Sequence, residues 1–265
     1  MATKPKNEAK KSNTVVRPYK TTILATFTGT TSLLFNPSTD KLVETLRSGI
    51  TPGKDMRPAI VVAGEKLLKN DDDNYLVPRS WVFACLREAG RNVSYKSVKD
   101  RITSATQGTK LPSLMEIHHA GYVIRDGQGK PMTDWAVDQR KGNNPNSGKG
   151  KGVATALIRP RFDVWSIEVE MTIRTDRIDL DRIVQLLEVA GEQYGLGDGR
   201  PGMGKLDFGM FQVTRVQVLG TQKAPPRLVI EGLEKLTEEE ESDGTAGAEA
   251  TTVDEAPRKD ELVPA

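Results

Sequence analysis

The stretch Trp165-Ser166-Ile167-Glu168-Val169-Glu170-Met171-Thr172-Ile173 alternates apolar and hydrophilic side chains without a break. Successive residues of a strand point to opposite faces, so this period predicts a strand with one face on a core and one face wet. Asp179 follows as a helix N-cap. Leu180, Ile183, Val184, Leu187 and Ala190 then recur at helical spacing.

Working outward, Thr21 to Gly29 sets Ile23, Ala25 and Phe27 against threonines and Leu24, which predicts a strand extended by Leu33-Leu34-Phe35. Residues 36–74 are rich in turn residues and predict irregular loops with one short helix near Lys41–Leu46. Ser80 reads as the N-cap of a helix from Trp81 to about Arg91, with Val82, Cys85, Leu86 and Ala89 on one stripe. Leu114 to Arg125 reads as a strand turned by Asp126-Gly127-Gln128-Gly129. Residues 139–152 are almost wholly Gly, Asn, Lys, Arg, Ser and Pro, the composition of a mobile loop. A last strand runs from Phe208 to Leu219. The order strand, helix, strand, strand, helix, strand is that of an α+β, ferredoxin-like (split βαβ) antiparallel sheet, here with long insertions and disordered termini. Helices on one face leave the other free to bind.

The charge is unevenly spread. Removing the +5 of residues 1–20 and the −9 of residues 231–265 from the formal net charge of +2 leaves +6 on residues 21–230. The expected organisation is a disordered basic arm (1–20), one domain (21–230) with a basic insertion (139–161), and a disordered acidic tail (231–265). The basic body favours a polyanion as partner. No secretion signal or membrane-length apolar run is visible, and the single cysteine, Cys85, sits in an apolar helix pattern, so a cytoplasmic protein without a membrane partner is expected.

The segment Gly195-Leu196-Gly197-Asp198-Gly199-Arg200-Pro201-Gly202-Met203-Gly204-Lys205-Leu206-Asp207-Phe208-Gly209 holds six glycines. Glycine loses more backbone freedom on folding than any other residue, so such a run implies left-handed backbone or close approach of a ligand. With Arg200 and Lys205 inside it, the ligand that fits is a phosphate chain; the alternative is slack connecting chain. A P-loop is excluded by Leu206 where Ser or Thr would hold magnesium, and a dinucleotide fingerprint by the order, helix before and strand after. Nearby, Arg140, Lys141, Lys149, Lys151, Arg159 and Arg161 occur from Gln139 to Phe162 with no acid among them. They suit a nucleic-acid backbone, whose neutralised phosphates release counterions, or else an ordinary solvated loop.

These residues resemble a family. Thr21 to Phe35, the run Leu76-Val77-Pro78-Arg79-Ser80-Trp81 through Leu86-Arg87, and the glycine-rich loop from Gly195 to Phe211 resemble the RAMP superfamily, the ferredoxin-like RNA-binding backbone subunits of CRISPR effector complexes. Val82-Phe83-Ala84 departs from that group's small residue after the serine, and the acidic tail is no hallmark of it, so the likeness is to a diverged or phage-borne branch. The resemblance implies a subunit that grips single-stranded RNA, side by side with copies of itself and other subunits. It places Arg79, Ser80 and Arg87 along a groove near Gly195, Gly197, Gly199, Arg200, Gly202, Gly204 and Lys205, with the basic insertion as a thumb.

Catalysis has weak footing. Asp40 and Asp55 have no telling spacing, and His118-His119 on a strand would point to opposite faces, which disfavours a metal site. No cofactor, metal or catalytic residue is assigned. The expected function is single-stranded nucleic-acid binding, of RNA before DNA, within a ribonucleoprotein assembly. The alternatives are a phage or mobile-element assembly protein without nucleic acid, and a metal-independent ribonuclease using His118 or His119.

Overall fold

A computed structural model describes residues 19–37, 43–44, 47–48, 56–97, 99–144, 153–201 and 206–223. All of these fall in the unit Met1–Ala224; the second unit, Pro225–Ala265, and residues 1–18 lie outside the described residues, and with them the expected acidic tail and nearly all of the basic arm. The strands are β1 (Lys20–Gly29), β2 (Leu33–Leu34), β3 (Leu76–Pro78), β4 (Ser94–Ser97), β5 (Asp100–Arg101), β6 (Thr103–Ser104), β7 (Gly108–Thr109), β8 (Met115–Ile117), β9 (Gly121–Val123), β10 (Ala136–Asn144), β11 (Val153–Phe162), β12 (Ser166–Ile173) and β13 (Phe211–Gln222). The helices are α1 (Ala59–Gly64), α2 (Arg79–Ala89), α3 (Leu111–Leu114) and α4 (Leu180–Val189), the last running into a π-helical turn, Ala190–Tyr194.

The main sheet has the order β13-β1-β12-β8, every neighbour antiparallel. Taken in sequence, β1, α2, β8, β12, α4 and β13 are the six elements of the split βαβ, so the fold is α+β and ferredoxin-like in its sheet order. The alternation in β1 and β12 dictates the core. Ile23, Ala25 and Phe27 pair with Met171, Val169 and Ile167, and all six are fully buried. Val82, Leu86 and Ala89 of α2 and Ile183, Leu186 and Leu187 of α4 cover them. The Cys85 thiol donates to the Ala190 carbonyl oxygen at 3.3 Å, and burial pushes its pKa up to about 12, so it stays protonated at neutral pH.

Several expectations change. The stripe of α4 is centred on Leu186, with Val184 only half-buried, because Ile183, Leu186, Leu187 and Ala190 keep the tighter helical spacing. Ser80 is not the cap of α2: Pro78 precedes the first helical residue, and the Arg79 N–H is satisfied by the Ala120 carbonyl oxygen at 2.9 Å. The strand expected over Leu114–Arg125 divides at His119, whose φ is +62°, because β8 pairs with β12 while β9 pairs with β3. Of the expected loop at 139–152, residues 139–144 are strand, the end of β10, which pairs with β11, itself paired with β2; residues 145–152 lie outside the described residues. Cross-strand pairing overrides the loop-like composition there: Asp138 lies directly opposite Arg159. In the turn-rich region α1 was not foreseen, and of the helix near Lys41–Leu46 only Val43 and Glu44 are described, both helical.

After the π-helical turn the chain doubles back tightly enough that Gly209 has φ +71°, and a Cβ there would lie 1.8 Å from the Leu196 carbonyl oxygen. Gly209→Ala should lower the unfolding free energy by about 1–2 kcal/mol for the left-handed backbone alone, and further for that clash. Urea denaturation checks this, with Gly220→Ala as control: a Cβ at Gly220 meets nothing within 4 Å, so the change should stay within about 0.5 kcal/mol.

Candidate nucleic-acid interface

The glycine-rich loop is laid into the domain as an extra strand-like layer. Its Leu196 N–H donates to the Gly209 carbonyl oxygen (2.8 Å), Asp198 N–H to Leu34 (3.0 Å), and Gly209 N–H to Ser32 (2.8 Å). Gly195, Gly197 and Gly199 all have φ near +70°, and a Cβ on Gly197 would meet the Leu34 carbonyl oxygen at 2.4 Å and the Trp81 ring at 3.3 Å. Gly197 therefore serves close packing against β2 and the first turn of α2, and Gly195 against the returning backbone at Phe208–Gly209. The Gly199 N–H donates to Asp198 Oδ1 at 2.8 Å, and Arg200 Nη1 donates to the Gly197 carbonyl oxygen at 2.6 Å. The loop donors that a phosphate cradle would need are in these cases engaged within the protein.

One ion network joins this loop to the β10–β11 hairpin. Arg159 is 3% exposed, with Nη2 3.0 Å from Asp138 Oδ2 and Nη1 2.8 Å from Asp198 Oδ2. Arg140 Nε donates to the other Asp138 oxygen at 2.7 Å, and its guanidinium lies 4.5 Å over the Phe208 ring. Lys66 Nζ donates to the Ile158 carbonyl oxygen (2.7 Å) and to Asn36 Oδ1 (3.0 Å). Burial holds the Lys66 ammonium below its ordinary pKa, the Arg159 charge adds to this, and Asp198 partly offsets both.

The structure thus brings together Arg140, Arg159, Gly197, Gly199 and Arg200. Arg159, expected as a nucleic-acid contact, is buried between two carboxylates, with its Nε also buried and without a hydrogen-bond partner. Arg161 is held by Asp163 at 2.7 and 3.1 Å. Burial pushes the Asp163 carboxyl up, but hydrogen bonds from Arg161 and Ser32 outweigh it and hold the group below its usual range. Arg87 reaches Glu88 at 3.3 Å, Arg79 and Ser80 are exposed on the first turn of α2, and Lys141 is exposed on β10. Lys149, Lys151, Gly202, Gly204 and Lys205, like Asp40 and Asp55, lie outside the described residues. The sequence reading missed Lys66, Asp138, Asp198 and Phe208; the acids carry their signal only once the hairpin register is known.

The open face of the main sheet is of mixed charge. It presents Glu116, Glu168 and Glu170 beside Thr22, Leu24, Thr26 and Thr28, with Arg125 3.4 Å from Glu168 and Arg215 opposite Thr26. Both histidines reach this face: His118 Nε2 is 2.8 Å from Thr172 Oγ1, and His119 Nε2 is 3.5 Å from Glu170 Oε2. The expected opposition of the two rings fails because the strand ends at Ile117, before both, and His119 turns the chain with φ +62°. Among the described residues no cluster of three or more His, Cys, Asp or Glu side chains is placed to hold a metal, and no helix is long and apolar enough to cross a membrane.

No protein-family model and no curated protein matches the chain. Among solved structures it is similar, at 11% identity and a TM-score of 0.42, to a chain of the Type III-B Cmr-beta complex bound to cognate target RNA. The match covers 78% of this chain and 62% of that one.

Removing one partner of a buried, paired charge strands the others, at about 3–5 kcal/mol. Arg159→Met should therefore destabilise the protein by that order in thermal or urea unfolding. Arg159→Lys should rescue little, since an ammonium cannot serve two carboxylates in the planar fork geometry.

Proposed function

We propose that the chain is a non-catalytic subunit that binds the backbone of a single-stranded nucleic acid, RNA foremost, within a ribonucleoprotein assembly. The observation that carries this reading is the segregation of charge. The open sheet face mixes carboxylates with Arg125 and Arg215, whereas from Gln139 to Phe162 the hairpin sequence holds bases and no acid, and Arg140 and Lys141 are exposed there. Arg140 over Phe208 offers a flat cationic surface on which a base can stack, and Lys141, on the other face of β10, offers a second exposed charge to a phosphate further along the strand. Lys149, Lys151, Lys205, Gly202 and Gly204 extend this rim in the proposal, and Arg79, Ser80 and Arg87 border it from α2.

The ribonuclease reading has one observation in its favour, the two imidazoles with ring centroids 6.3 Å apart. Glu170 lies 3.5 Å from His119 and its carboxylate repels the phosphate that would have to be cleaved, while the neighbouring Glu168 is offset by Arg125. Binding without turnover is the better account.

Binding to a labelled single strand should weaken steeply with salt. Lys141→Glu and Arg140→Ala should each lower affinity and reduce the slope of log K against log salt by about 0.7 per lost phosphate contact. Glu168→Gln should leave both unchanged. Absence of binding at low salt, or binding indifferent to salt, overturns the proposal, and circular dichroism of each variant separates lost contacts from lost fold.

A further inference from the structure

The small hairpin of β4 and β5 carries a second concentration of positive charge, apart from β10 and β11. Residues 87–110 hold six bases, Arg87, Arg91, Lys96, Lys99, Arg101 and Lys110, against two acids, Glu88 and Asp100. Both acids are engaged within the stretch. Glu88 lies 3.3 Å from Arg87 and 3.0 Å from Arg91, and Asp100 is paired with Lys110. Lys96 and Lys99 are exposed, and among the described residues no carboxylate pairs with either. Arg87 and Arg91 stand at the C-terminal end of α2, where cations complement the helix dipole. Lys96 and Lys99 lie past that end and have no such role.

The hairpin is firmly anchored. Val93 and Ile102 are fully buried at its base, where the Ile102 N–H donates to the Val93 carbonyl oxygen at 3.1 Å. Arg101 Nη1 donates to the Asn92 carbonyl oxygen at 3.0 Å. The same asparagine ties the hairpin to the glycine-rich loop: its Nδ2 donates to Gln193 Oε1 and to Tyr194 Oη, both at 2.9 Å, and Tyr194 immediately precedes Gly195. Arg200 of that loop lies near enough to α2 for its charge to oppose the burial-driven rise of the Cys85 pKa. The hairpin therefore adjoins both the loop and the end of α2 that carries Arg87 and Arg91.

We infer that the β4–β5 hairpin is a second phosphate-binding surface, which grips the same single strand beyond the end of α2 through Lys96 and Lys99. This rests on the nucleic-acid reading above and deepens it, because it bears on the length of the ligand. Arg79 and Arg87 are eight residues apart, roughly 12 Å along a helix, and the hairpin lies further on. A mononucleotide cannot bridge that distance, whereas a strand of several nucleotides can. Tyr95 is no stacking platform here. It packs against the core, with the Lys96 and Lys110 ammonium groups 5.3 and 5.0 Å from its ring centroid. The contact is thus to phosphates and carries no sequence information.

The test is binding of labelled single-stranded RNA of increasing length to the full chain. Lys96→Glu combined with Lys99→Glu should lower affinity for the longest strands about tenfold or more. It should also cut the slope of log K against log salt by about 1.4, two phosphate contacts at about 0.7 each. Affinity of the unaltered chain should rise with strand length until both surfaces are covered, and the double variant should flatten that rise. Lys130→Glu, at an exposed lysine between β9 and β10, should preserve it. Lys99→Cys bearing a thiol-linked photoreactive group should cross-link to the strand, and Lys130→Cys labelled the same way should not; the native Cys85 is buried and stays protonated. Circular dichroism confirms that each variant is folded. Unchanged binding by the double variant overturns the inference alone. So does equal cross-linking from both positions, which marks indiscriminate attraction to a polyanion. Absence of binding by the unaltered chain at low salt overturns the nucleic-acid reading and this inference with it, so the two failures are distinguishable.

Discussion

A guanidinium removed from water needs its charge met from more than one side, and Arg159 draws its two carboxylates from different parts of the chain. Asp138 comes from the facing strand of the hairpin and Asp198 from the glycine loop, 39 residues after Arg159. The hairpin cannot tilt away without stranding Asp138 with Arg159, nor the loop lift without baring Asp198. Arg140, Lys66 and Phe208 are placed by the same cluster: Arg140 shares Asp138, Lys66 feels both Arg159 and Asp198, and Phe208 lies under Arg140. The exposed Arg140 is thus anchored on a buried ion network whose charges come from the chain itself.

How far the amino-acid pattern reveals this depends on whether a feature is local. Period-two alternation in Thr21–Gly29 and Trp165–Ile173 and helical spacing in Val82–Ala89 report burial directly, because each residue's face is set by its own neighbours in sequence. The sheet order follows from these few elements and the connections allowed between them. The hairpin was illegible for the opposite reason. Gln139 to Asn144 carries loop-forming residues, and its strand character comes from partners such as Asp138↔Arg159, which exist only once residues 153–162 lie alongside. The division of Leu114–Arg125 has the same origin, since each half takes a different partner strand and His119 absorbs the change of direction.

The glycine loop shows where reasoning from composition goes astray at the level of the site. Left-handed backbone and close approach were correctly implied by the run of glycines, yet the object approached is the protein's own chain: Leu34, Trp81 and Leu196. The same residues serve a ligand or serve packing with identical dihedral angles, and composition cannot separate the two. Hydrogen-bond accounting can. Leu196, Asp198, Gly199 and Gly209 all donate to acceptors within the chain.

That accounting constrains the proposed function further. Anion recognition by convergent backbone N–H groups is geometrically exacting and selects for one phosphate arrangement. With those donors engaged internally, the proposed recognition falls to long side chains at the surface, Arg140 and Lys141 chief among them, which adapt their reach to whatever phosphate spacing arrives. Attraction of this kind is screened by salt, tolerant of sequence and spread over many weak contacts. It suits a protein that holds a strand along its length and does not suit one that reads a base or closes on a single nucleotide. The stacked pair of Arg140 and Phe208 is in keeping with this, since every base presents a π-face.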